Sequence, residues 1–199
     1  MPRSYDMKTR GQQTAATRQR LLDAAVEGLA EVGVEALTMQ SVAERADVAL
    51  RTVYNHFASK EELIVEAYDR LAGATKERYA LLPADGAPRA RVGWMVDAMY
   101  DVLEEQSPGT HAIMRVSGVP QFDHRLHEVR GWRREAIADV LRPADDAGEL
   151  LVPLEQAVAL VFVATSYATW NALVHESGLS QSAAKDLSRR AVDTVLFGA

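Results

Sequence analysis

The chain has 199 residues, 48% of them hydrophobic and 25% charged, which is ordinary for a globular protein and enough for one good core or two small ones. It has no cysteine, which excludes disulfides, thiolate metal cages and cysteine nucleophiles and fits a cytoplasmic location, and its N-terminus lacks the apolar stretch of a signal peptide. A net charge of −6 argues against a wholesale nucleic-acid coat, yet the charge is uneven: residues 1–60 hold eight Lys or Arg against seven Asp or Glu, and the remainder 14 against 21.

Residues 1–16 are polar, carry Arg3, Lys8 and Arg10 and show no apolar period. They read as a flexible basic arm that touches a minor groove or backbone, or else as a frayed tail without a role. From residue 17, Leu21, Leu22, Ala25, Val26, Leu29 and Val32 recur at helical spacing, and Gly33 supplies a stop.

Residues 38–60 read as two short helices joined by a tight turn and followed at once by a third helix start. Thr38 caps the first, with Leu37 and Val42 at the positions of a hydrophobic staple. Asp47 stands at the turn, where a short polar side chain tolerates a left-handed backbone. Val48 and Val53 repeat the staple spacing around Ala49, a poor cap. With Val53 and Phe57 inward, Leu50, Arg51, Thr52, Tyr54 and Asn55 are left for an outward surface that is short, rich in donors and suited to a major groove. Ser59 and Glu62 form a capping box that places Lys60 at a helix start, where amides and ammonium together grip a phosphate; alone, Lys60 would be a solvated lysine.

Thr38, Val42, Ala43, Val48, Thr52, Val53, Tyr54, His56, Phe57 and Lys60, preceded by a long first helix, resemble the DNA-binding domain of the TetR family over residues 17–65, and the closing T-V-Y-N-H-F-x-S-K is highly specific. The resemblance implies that Thr52, Tyr54, His56 and Lys60 contact the DNA backbone, while Gln40, Leu50, Arg51 and Asn55 occupy positions that reach base edges. Thr38 joins this DNA-binding set. Asp47 stands where the family has glycine, and Ala49 where it often has serine.

Further along, residues 61–82 continue as a helix that links reader to body, and Pro83, Gly86 and Pro88 mark the clearest boundary. Helices follow at residues 89–106, 110–116 and 122–141, with a loop at 143–153. Residues 156–174 carry no charge, but Thr165, Ser166, Thr169 and Asn171 interrupt them, so they read as one helix buried on most sides and not as a membrane span. A last helix spans residues 182–197. No β alternation of useful length occurs, so the fold is expected to be all-α: an N-terminal three-helix helix-turn-helix domain and, over residues 66–199, a helical effector-binding and dimerisation domain. The last two helices suit a four-helix homodimer interface, an arrangement the family resemblance also implies.

Trp94, Met99, His111, Met114, Phe122, Trp132, Phe162, Tyr167, Trp170 and Asn171 are the candidates for an effector pocket, with Thr169 as a further polar tip; each of them also reads as plain core. His124 and His127 lack a third ligand at a telling spacing, so no metal and no cofactor is expected. Asp97, Asp101, Glu104 and Glu105 read as a solvated face. No catalytic motif is present. The resemblance thus implies a ligand-responsive transcriptional regulator, a repressor by the family's habit, that binds a palindromic operator as a homodimer and is released by a small molecule of unknown identity. The alternative is a helical small-molecule-binding protein or enzyme with a vestigial helix-turn-helix, which would keep its activity when Tyr54 and Lys60 are replaced by alanine.

Overall fold

The computed structural model describes residues 3–198, with side chains from residue 11 onward. In chain order the helices are α1 (Arg3–Ala36), α2 (Met39–Arg45), α3 (Leu50–His56), α4 (Lys60–Tyr79), α5 (Pro88–Glu105), α6 (Ser107–Met114), α7 (Pro120–Asp146), α8 (Leu154–Ala164), α9 (Tyr167–Asn171), a π-helical turn (Ala172–Glu176) and α10 (Gln181–Phe197). Among the described residues there is no strand, and the fold is all-α as expected. Two compact units result: the residues through Leu71 together with Pro108–Arg125, and Ala72–Ser107 together with Leu126–Ala199. The segment 108–125, expected in the C-terminal body, therefore belongs with the helix-turn-helix.

In the first unit, helix starts where an arm was expected. α1 runs unbroken across residue 16, because Gln12, Gln13, Ala15 and Ala16 are good helix formers and each added residue extends a ladder already nucleated by the packed stretch behind it. Residues 1–2 and the side chains of Arg3, Lys8 and Arg10 lie outside the described part. Gly33 ends the first helical stretch as expected: at φ 75° and ψ 178° it leaves the helical region, and a separate short turn runs on to Ala36. Leu21, Ala25, Leu29, Leu37, Val42, Val53, Phe57, Leu63 and Ile64 are buried together with Ile113, Val116 and Phe122 from the returning segment. Tyr68 meets the Phe122 ring edge-on at 5.2 Å, and Arg125 donates to Asp69 at 2.6 Å. A Cβ on Gly109 would come within 3.1 Å of Val26 and 3.4 Å of Leu71, so α6 needs glycine there to lie this close to α1 and α4.

The second unit is centred on α5, whose Val92, Met95, Val96, Met99, Tyr100 and Leu103 form one core with Ile137 and Leu141 of α7, Ala157 and Val161 of α8, Trp170, and Ala184, Val192 and Leu196 of α10. Gln181 ties this core together, accepting from Trp170 Nε1 at 2.7 Å and donating to the Tyr100 carbonyl at 2.9 Å. The Tyr100 hydroxyl pairs with Ser188 at 2.5 Å. The acidic face expected to be merely solvated is instead bound to cations: Asp97 pairs with Arg189 at 2.8 Å, Asp101 with Lys185, and Glu105 with Arg78 at 2.8 Å.

Three expected boundaries move. α7 continues through Pro143 to Asp146, since a proline near the end of a helix forfeits few bonds of the ladder. α6 starts at Ser107, directly after α5, with Pro108 in its first turn, where a missing N–H costs nothing. The uncharged stretch breaks in two. The Thr165 hydroxyl donates back to the Val161 carbonyl at 2.7 Å, and Ser166 caps a new start by accepting from the Thr169 amide at 3.1 Å, so the chain bends by 47°. No single described helix is long and apolar enough to cross a membrane.

Candidate nucleic-acid interface

The turn between α2 and α3 is closed entirely by backbone and short side chains. At the start of α2, Thr38 Oγ1 accepts from the Ser41 amide at 3.0 Å, and Ser41 Oγ accepts from the Thr38 amide at 3.1 Å, giving a capping box with serine in the place usually held by glutamate. At its end, the Val48 amide bonds the Ala43 carbonyl at 3.0 Å and the Asp47 amide bonds that of Glu44 at 3.2 Å. These are the two bonds of a Schellman motif, and they require a left-handed residue at Asp47, whose φ is 51°. Asp47 thus does what the sequence predicted. Ala49 opens α3 with no side-chain cap, again as read.

Val53 and Phe57, fully buried, fix which side of α3 faces outward. Leu50, Arg51, Tyr54 and Asn55 are exposed, Tyr54 at 53%, with Thr52 and His56 half-buried at the edge. Neither α2 nor α3 has an acidic residue in its first turn. Thr38 and Gln40 are exposed on α2, and the Gln40 amide is held by Glu44 at 2.7 Å.

Three supports of this surface had no local signal in the sequence. Arg18 of α1 lies over the Phe57 ring at 4.5 Å, donates to the His56 carbonyl at 3.2 Å and pairs with Glu66 at 2.8 Å, so it holds the end of α3. Arg45 makes a two-pronged pair with Glu31, and this hydrogen bonding holds the Glu31 carboxyl below its ordinary value. The Lys60 ammonium donates to the Val34 carbonyl at 2.9 Å, which ties the start of α4 to the end of α1. Lys60 does sit at a helix start, as expected, but with that bond already made. The Ser59 box also differs in detail: Ser59 accepts from the Glu62 amide at 3.1 Å, while the Glu62 carboxylate reaches the Ala58 amide at 2.6 Å.

The effector-pocket candidates divide between the units. His111, Met114 and Phe122 belong to the first, and Trp94, Met99, Trp132, Phe162, Tyr167, Trp170 and Asn171 to the second. Trp170 is buried core held by Gln181, and Asn171 donates to Glu176 at 2.7 Å. Among the described residues, one cleft of about 330 Å³ opens between α5 and α10, lined by residues that include Arg89, Gly93, Arg189 and Arg190, and another of about 290 Å³ opens in the first unit, beside Gly33 and Arg115. None of the candidates lines either of these clefts. Met99, Trp132 and Phe162 instead surround a polar group of side chains, in which Arg133 donates to the Thr165 carbonyl at 3.0 Å and hydroxyl at 2.9 Å. Burial pushes the Tyr79 phenol up from its ordinary value, with the positive Arg133 nearby acting the other way. His124 and His127 are exposed on α7, and among the described residues no three His, Asp or Glu side chains converge as metal ligands.

Residues 21–67 match the bacterial regulatory proteins of the tetR family. Over 117 residues the chain is 38% identical to the HTH-type transcriptional repressor KstR of Mycolicibacterium smegmatis, covering 54% of this chain and 56% of that one. It is 32% identical over 96 residues to the HTH-type transcriptional regulator BetI of Burkholderia mallei, covering 46% and 48%. These matches span about half the length of the curated relatives. The fold extends much further than the sequence likeness. The fatty acid degradation regulator FadR of Bacillus halodurans superposes with a TM-score of 0.75 at 16% identity, over 88% of this chain and 93% of that one. FadR of Bacillus subtilis, solved in complex with stearoyl-CoA, gives 0.75 at 15% identity, over 89% and 98%.

Proposed function

We propose that the chain is a member of the tetR family of bacterial regulatory proteins, whose model its residues 21–67 match, and that it is a cytoplasmic, homodimeric transcriptional repressor that binds a palindromic operator and leaves it when a small molecule binds. The observation that carries this reading is the outward face of α3: Leu50, Arg51, Tyr54 and Asn55 stand exposed on a helix locked by Val53, Phe57 and Arg18. A single helix of seven residues reads few base pairs. Two such helices related by a two-fold axis read a palindrome at fixed spacing, so the function calls for a dimer. In this reading Leu50, Arg51, Asn55 and Gln40 face base edges, Thr52, Tyr54, His56 and Lys60 hold phosphates, and Thr38 presents the start of α2.

The second unit is assigned effector binding and dimerisation, with no catalytic role. α10 supports the dimer through its two apolar sides. Ala184, Val192 and Leu196 are buried within the unit, whereas Leu187 at 42% and Val195 at 46% are exposed, as is Val163 of α8 at 57%. A second copy covers these side chains. Ligand binding acts by changing the separation or tilt of two recognition helices that must match half-sites about 34 Å apart, so a shift of a few ångströms breaks one set of contacts.

Selection from a random duplex pool, at two salt concentrations, tests the reading directly. Enrichment of a palindrome that survives the higher salt, with two chains bound per site, is expected. Enrichment of no sequence, or of an asymmetric one, would overturn it.

A further inference from the structure

α5 and α10 share one core, and the cleft of about 330 Å³ between them has the volume of a small-molecule site at the lower end of the usual range. Part of its lining is apolar: Ala87, Ala90, Val92 and Val192. The charged part is one-sided. Arg89, Arg189 and Arg190 stand against a single carboxylate, Asp193, in a chain whose net charge is −6. α5 begins at this cleft, and its first turn adds no acidic residue.

Each arginine is held differently. Arg89 donates from Nε and Nη2 to the two Asp193 oxygens at 2.7 and 2.6 Å, and from Nη2 to the Gly198 carbonyl at 3.2 Å, which leaves its Nη1 open. Arg189 donates from Nη1 to Asp97 at 2.8 Å, which leaves its Nε and Nη2 open. These two nitrogens lie against α5 where Gly93 has no side chain: a Cβ there would stand 3.0 Å from Nε and 3.1 Å from Nη2. Glycine thus lets Arg189 reach the wall of the cleft. Arg190 is exposed and makes no hydrogen bond or ion pair among the described residues. Asp186, one turn earlier on α10, is exposed and does not pair with it.

What stays open around the cleft is therefore a set of N–H donors on three cations, carried by two helices. A planar carboxylate matches one guanidinium with its two oxygens. A phosphate monoester brings three terminal oxygens and close to two negative charges, and it bonds in three directions at once. Three separate guanidiniums beside an apolar wall fit the second kind of ligand better than the first.

We propose that the cleft between α5 and α10 is a binding site for a small phosphate monoester, its terminal oxygens taken by Arg89, Arg189 and Arg190 and its organic part resting against Val92 and Val192. The site goes beyond the repressor reading, because its ligand binds whether or not the protein meets DNA.

The test titrates the full chain at neutral pH with phenyl phosphate, inorganic phosphate and benzoate in separate calorimetric runs. Phenyl phosphate should saturate one site per chain and bind about ten-fold more tightly than benzoate, which has one oxygen and one charge fewer. It should also bind more tightly than inorganic phosphate, which has nothing to lay against the valines. Arg190→Gln should weaken phenyl phosphate about ten-fold. The melting temperature of the ligand-free variant should stay where it was, since Arg190 holds nothing in the fold. Arg142→Gln, which removes an exposed charge on α7 away from the cleft, should leave the titration as it is. The proposal is overturned if phenyl phosphate does not saturate, if benzoate or inorganic phosphate binds as well, or if Arg190→Gln binds like the parent. It is overturned too if Arg142→Gln weakens binding as much as Arg190→Gln, for the attraction is then a matter of overall charge. Operator binding plays no part in these outcomes, so the site and the repressor stand or fall separately.

Discussion

The α2–α3 turn and the polar interior of the second unit are built by opposite means. In the turn, Thr38 with Ser41, Ala43 with Val48 and Glu44 with Asp47 close both ends of α2 within a few residues of chain, while α3 starts uncapped at Ala49. The interior draws Tyr79, Arg133 and Thr165 from three distant segments and still leaves one hydroxyl unmatched. Local closure of α2 makes a stiff part that presents one fixed surface. Long-range satisfaction makes a part whose bonds hold only while the three segments stay packed together.

If that contrast is right, the reader fails by losing its buried anchors and not its caps. Phe57→Ala should cost about 3–5 kcal/mol in denaturant unfolding, since it empties a fully buried ring site and releases Arg18, and operator binding should vanish with it. Tyr54→Ala separates surface from scaffold: unfolding stability stays within about 0.5 kcal/mol, while operator binding weakens by about 1–3 kcal/mol in a fluorescence anisotropy titration. Loss of stability without loss of binding would mean that the exposed ring is structural. Thr38→Ala removes one reciprocal cap and should destabilise by about 1 kcal/mol. Asp47→Gly relieves a left-handed side chain and should stabilise by about 0.5–1 kcal/mol, with tighter operator binding as a negative charge leaves the turn.

The smallest effect belongs to the interior and shows only in alkali. Burial raises the Tyr79 phenol in the folded chain, so above pH 10 the unfolded chain ionises first. The stability concerned is whole below about pH 10 and is lost as pH rises through the folded value; Tyr79→Phe should flatten that part of the pH profile. Tyr100, raised by burial despite its bond to Ser188, contributes a slope of the same sign that the substitution leaves in place.

The same contrast decides what could be read from the chain. Thr38, Asp47, Ala49, Val53 and Phe57 announced caps, turn and inward face because each signal and its partner lie within one or two turns. The membership of residues 108–125 in the first unit was not legible, since it depends on Gly109 approaching Val26 and on Tyr68 meeting Phe122, pairs far apart in sequence. Aromatic and methionine content marked Met99, Trp132 and Phe162 as candidates, but it marked Trp170 and Phe122 equally. Composition cannot tell a wall from a core. Tyr79 and Thr165 were missed because an unmatched hydroxyl is a property of three helices meeting, and nothing in either residue's neighbours along the chain announces it.

The serine in the α2 cap has one more effect. A glutamate there would bring a carboxylate to the edge of the proposed docking face, where it would either repel each arriving phosphate or desert its amide. Two hydroxyls do neither. Closing the helix and meeting DNA therefore draw on separate charges, and ionic strength can tune the second without loosening the first.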